Sequence, residues 1–212
     1  MFLPSRAKVA LLRLLGHEVA WSARIGASYL NVRRIRLGEN AFIGRGNVFT
    51  GLEELVMGEG SRINAWNRFT QAPLWRGRLV LGDRASISLR HYFDVCDEVR
   101  IGHDTIVAGH RSTFFTHSKG LEAIDFTKPI EIGEWCYVGS NVCMVPGARV
   151  GARSFVGMGA VVVKDHSGEP LSLLAGNPAR VVKRLPPDAP YFTQGPLVHP
   201  HLRGRAKGRR PA

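Results

Sequence analysis

Between Ile132 and Val162 an aliphatic residue recurs at every sixth position: Ile132, Val138, Met144, Val150, Val156 and Val162. Glycine follows four of them, at 133, 139, 151 and 157. Four residues after each of the first five stands a small or modest side chain: Cys136, Val142, Ala148, Ser154 and Ala160. Six is not a helical period, but it is a multiple of the strand period of two. Each unit therefore reads as a short strand plus a turn, with its aliphatic residue facing inward.

The same phase runs upstream in groups of three: Leu37, Ile43, Phe49; Met57, Ile63, Phe69; Leu81, Ile87, Phe93; and Ile101, Val107, Thr113. Three units make an eighteen-residue coil with three flat sides. Six such coils stack into a triangular prism, because a single coil cannot bury its inner face alone. Glycine and small residues near the corners permit the tight turns. The spacing between groups exceeds six after Phe49, Phe69, Phe93 and Thr113. The extra residues thus leave the prism after the third side of a coil, along one edge, where a binding cleft on a rigid scaffold is expected. The longest excursion, roughly residues 118–129, begins directly after His117.

This pattern is the hexapeptide repeat, and the sequence resembles the left-handed parallel β-helix acyltransferases. The stretch from Gly157 to Asp165 and the later run Ala175-Gly-Asn-Pro-Ala-Arg180-Val-Val-Lys183 are similar to the segments that close the repeat in that family. The handedness comes from the resemblance alone, since ordinary parallel crossovers take the opposite hand. The implied architecture is all-β. It has an N-terminal helical or capping segment over 1–24, a left-handed parallel β-helix over 25–166, a capping segment over 167–190 and a basic tail over 191–212.

The resemblance also implies transfer of an acetyl group from acetyl-CoA to a hydroxyl or amine of a sugar or glycan intermediate. It implies a homotrimer with clefts between prisms, and a place in polysaccharide biosynthesis in the cytoplasm. His117 matches the position of the family's general base. Imidazole suits that role, because an acceptor attacking a thioester must lose a proton to a base with pKa near 7. Backbone N–H groups at the coil edges are the expected donors to the oxyanion. By the same resemblance Ser140 and Ala160 lie along the pantetheine arm, and Lys164, Arg180 and Lys183 meet the phosphates of the cofactor. Asn67, His91 and Asp94 fall beside inward aromatics and are candidates for acceptor binding. Asp94 could also hold His117 from a neighbouring subunit. Local turn chemistry explains such residues equally well.

Composition narrows the alternatives. Twenty-nine Lys and Arg against seventeen acids give a formal charge of +12. Five basic residues and no acid lie from Arg203 to the end. Such a tail is a solvated end or a contact for an anionic partner. Acetyl-CoA would account for part of the remaining excess, and no nucleic-acid partner is expected. The three cysteines lack C-x-x-C spacing and read as reduced thiols. Residues 2–19 are apolar but carry Arg6, Lys8, Arg13 and His17, which argues against a bilayer span or a secretory leader. A helix there would cap the first coil, or touch a membrane that presents a lipid-linked glycan.

Two other readings share the fold. His103, His110 and His117 are seven apart, and similar prisms, the γ-class carbonic anhydrases, hold zinc with three histidines. A spacing of seven on a period of six rotates each imidazole off the column of the last, so no metal is expected. The remaining reading is a non-catalytic basic binding protein.

Overall fold

The computed structural model describes residues 3–120 and 126–193. The basic run from Arg203 and the middle of the 118–129 excursion lie outside the described residues. Short parallel strands stack into a three-faced solenoid of about eight turns. The first face runs from Glu18–Val19 to Asp165–His166, and the second from Arg24–Ile25 to Ser172–Ala175. The third runs from the start of Tyr29–Leu37 to Val161–Val162. Tyr29–Leu37 and Val48–Met57 are long strands that bend around the corner between the third face and the first face of the next turn. They join those two faces into one sheet, whereas the second face forms a sheet of its own.

Every inward position read from the repeat is buried except Thr113. In its place Phe114 fills the core and pairs in register with Phe93 and Met144. The ladder shifts between Val107 and His110, where Gly109 takes φ +65°, and that corner absorbs one extra residue. Four phenyl rings then form a column: Phe49–Phe69 at 4.5 Å, Phe69–Phe93 at 4.9 Å and Phe93–Phe114 at 4.3 Å between centroids. These distances match the spacing of about 4.8 Å between hydrogen-bonded strands. Identical side chains in register must therefore stack.

The six coils counted from sequence are the middle of the solenoid. One turn precedes them, with Val19, Ile25 and Leu30 on its three faces. Another follows, in which His166 and Leu174 take the inward positions. Helix α1, Ser5–Leu14, lies against the first turn and buries Val9 in the core. The Ile25 N–H donates to Ser5 Oγ (2.8 Å), and Lys8 Nζ donates to the Gly26 carbonyl (2.7 Å). Backbone groups of the terminal turn are thereby satisfied. At the other end the chain reverses after Ala175, and Arg180–Arg184 returns antiparallel along Ser172–Ala175. No helix among the described residues is long and apolar enough to cross a membrane.

Candidate active site

His117 sits at the corner between the third and first faces, just beyond Thr113–Phe115. Its backbone is fixed by a small antiparallel ladder, His117 with Thr127 and Ser118 with Phe126, which closes the base of the long excursion. Its imidazole Nδ1 faces Asp94 Oδ2 at 3.8 Å, with the histidine side chain 26% exposed. Asp94 is one turn earlier on the same corner, and its other oxygen is occupied. Asp94 Oδ1 accepts from Thr116 Oγ1 (3.1 Å) and from the Cys96 N–H (3.3 Å). Thr116 is fully buried and its hydroxyl also accepts from the Asp97 N–H (3.0 Å). The carboxylate is thus held with one oxygen turned to the histidine.

Two features of this corner escaped the sequence reading. Trp75, from the twelve-residue gap after Phe69, brings its ring to 6.1 Å from that of His117. Lys128 packs its aliphatic stem beside Gly147, where a Cβ would come within 3.1 Å of Lys128 Cδ. The gap lengths announce the loops but not which of their side chains turn back onto the corner. Lys164 is exposed at the same corner two turns beyond His117, immediately before the first-face strand Asp165–His166.

The remaining candidates lie elsewhere. Asn67, His91 and Asp94, the candidates beside inward aromatics, occupy two corners: Asn67 and His91 precede the third face, whereas Asp94 ends it. Asn67 and His91 belong to an interior corner column with Asn47 and Ser112, and the strand registers put Ala160 in the same column. Asn67 is fully buried; its amide donates to Asn47 Oδ1 (3.1 Å) and the Ser88 carbonyl (3.0 Å), and its oxygen accepts from the His91 N–H (2.9 Å). His91 Nδ1 accepts from the Ser112 N–H (3.2 Å). Burial, reinforced by the charge of His110, pushes the His91 pKa down to about 4. These polar groups satisfy backbone at a corner, and a buried polar group needs such partners. The Ala160 side chain is fully buried in the core and offers no surface to a cofactor.

Ser140 stands at the second–third corner, pressed against Gly109, where an added Cβ would lie 1.8 Å from Ser140 Oγ. Arg180 and Lys183 are exposed on the returning strand over the second face, not at the corner of His117 and Lys164.

The three histidines spaced by seven advance one corner each. His103 lies between the first and second faces, paired with Asp104 (3.0 Å) and Glu134. His110 lies between the second and third, and His117 between the third and first. They cannot share an ion. A different trio can offer ligands: one atom each from Asp94, Cys96 and His117 lie within 4.8 Å of one another. Burial raises the Cys96 thiol to about 11, so at neutral pH it is neither a thiolate nor a nucleophile.

Similarity to known proteins agrees with this architecture. The structure matches a hexapeptide-repeat acetyltransferase from Vibrio cholerae at 26% identity and a TM-score of 0.52, over 61% of this chain and 73% of that one. Repeat and fold are those of the hexapeptide-repeat acetyltransferases. The sequence is 37% identical over 86 residues to a Staphylococcus aureus protein named "Putative acetyltransferase", covering 41% of each. It is 29% identical over 107 residues to a Saccharomyces cerevisiae protein of the same name, covering 50% of each. The chain thus spans half or less of the length of these curated relatives. AntD, an N-acyltransferase from Bacillus cereus solved with dTDP and 3-hydroxybutyryl-CoA, shares the hexapeptide-repeat fold at 16% identity and a TM-score of 0.56. No family model matches the chain.

Proposed function

We propose that this chain moves an acetyl group from acetyl-CoA to a hydroxyl or amine of a sugar, with His117 as general base. The observation that carries the reading is the His117–Asp94 pair at the corner where both long excursions meet. With Nδ1 on the side of Asp94, the imidazole would take the acceptor's proton at Nε2. At 3.8 Å the pair is longer than a hydrogen bond, as such contacts commonly are before substrate binds.

In this mechanism Nε2 takes the acceptor's proton as its oxygen or nitrogen attacks the thioester carbonyl. The tetrahedral oxyanion collapses, the C–S bond breaks, and the departing thiolate takes the proton back from the imidazolium. Asp94 stabilises that cation. The protonated Cys96 thiol argues for direct transfer without an acyl-enzyme.

Lys164, and Lys128 between it and His117, supply positive charge for the donor's phosphates along this corner. Ser140, Arg180 and Lys183 reach a donor only if a second copy sets its second–third corner against this groove. A homotrimer of prisms in the cytoplasm, with clefts between neighbours, fits that requirement.

Replacing His117 by Ala should lower acceptor-dependent thiol release by about a hundredfold or more, the scale of a lost general base, and leave the thermal midpoint nearly unchanged. Full turnover in H117A would remove the histidine from the mechanism. The Asp94–Cys96–His117 trio favours one second reading, a zinc lyase on the same fold. Prolonged treatment with a chelator separates the two: the transferase keeps its rate, and a zinc enzyme loses it.

A further inference from the structure

One side of the His117 corner holds a cavity that the repeat does not require. It has a volume of about 280 Å³, near the lower end of the range for small-molecule sites, and follows the third–first corner through the turns before His117. Asn31, Arg33, Glu53, Gln71, Trp75 and Arg76 line it. Trp75 belongs to both places, since its ring also approaches His117. Gln71 fixes the loop that carries it: its amide donates to the Trp75 carbonyl, and its oxygen accepts from the Gly77 N–H (2.7 Å). An indole with planar amide groups around it suits a sugar ring, which stacks one apolar face and hydrogen-bonds at its edges.

The charge of the lining is specific. Arg76 and Arg33 both engage a single oxygen of Glu53, each through one nitrogen, at 3.1 and 3.5 Å. Two guanidiniums against one carboxylate leave a net positive charge, and the Arg side chains are 73% and 67% exposed. Their unused N–H groups can fork onto an anion bidentately. Resting on the transferase reading above, we infer that this cavity is the acceptor subsite and that it selects a sugar bearing a carboxylate or phosphate. The acceptor then enters from the N-terminal side of His117, and the donor lies toward Lys164.

Binding to the whole 212-residue chain without acetyl-CoA tests this by saturation-transfer NMR at physiological salt. The probes are N-acetylneuraminic acid, glucose 1-phosphate and glucose. Both anionic sugars should bind at least about tenfold more tightly than glucose, and whichever binds better identifies the anion. The double variant Arg33→Ala/Arg76→Ala should lose that advantage, and Trp75→Ala should weaken all three. Equal binding of glucose, or an anionic preference that survives the double variant, overturns the subsite. H117A should bind the probes like the parent chain. Full turnover in H117A with the anionic preference intact would therefore sink the catalytic reading and spare the subsite; lost preference with a dead H117A would do the reverse.

Discussion

Thr116 sets what Asp94 can do. Its buried hydroxyl and the Cys96 N–H hold one carboxylate oxygen, and the other is left facing His117. Asp94→Asn keeps the size and removes the charge that the proposed mechanism uses to stabilise an imidazolium. We expect kcat to fall by about tenfold or more with little change in KM for acetyl-CoA, as for an interaction strengthened in the transition state. Cys96 is the converse case: with a thiol pKa of about 11 it stays protonated, so Cys96→Ala should retain turnover within about twofold. His91, buried at another corner, adds an acid-sensitive element. Its folded pKa of about 4 lies below the ordinary value of about 6.5, so between these limits the unfolded chain binds the proton first. The contribution of His91 to stability therefore falls as pH drops from 6.5 toward 4. His91→Gln should be less stable than the parent at pH 7.5, through the lost Ser112 contact, and the gap should narrow at pH 4.5, as read from urea midpoints.

At the scale of elements, register governs nearly everything. The phenyl column exists because Phe49, Phe69, Phe93 and Phe114 occupy one inward position in four successive turns. Phe93→Ala empties the middle of that column and should cost about 3–5 kcal/mol, measurable by denaturant unfolding. The inward positions were legible because period six survives in them. Phe114 was missed because one residue too many enters at Gly109, and the register slips there unannounced. The first turn was missed because its inward residues are spaced five and then seven apart before Leu37, and the last because His166 stands where an aliphatic residue was sought. The position of His117 at this corner was legible from its place before the longest gap. Its partners were not, since pairing Asp94 and Trp75 with it depends on how separate loops fold back over one corner. Asn67 and His91 misled for a related reason: a polar residue beside an inward aromatic looks alike in sequence whether it points out or plugs an interior corner.

Across the whole molecule, a stack of parallel turns has two ends that differ in kind. The N-terminal end is covered by α1, with Ser5 and Lys8 meeting backbone groups of the first turn. The C-terminal end is closed by the reversal at Gly176 and the strand Arg180–Arg184. A strand laid in the contrary direction offers an arriving parallel copy the wrong pattern of donors and acceptors, and its arginines and lysine repel a like neighbour. A chain stopped at Ala175 would lack this terminator and bare the edge of Ser172–Ala175, while α1 still covers the first turn. Light scattering should then show particle size about double as bared C-terminal ends meet, whereas a chain stopped at Thr193 should remain of fixed size. The reversal and α1 thus limit the prism each at its own end, and together keep a fold that could in principle extend without bound to a finite particle.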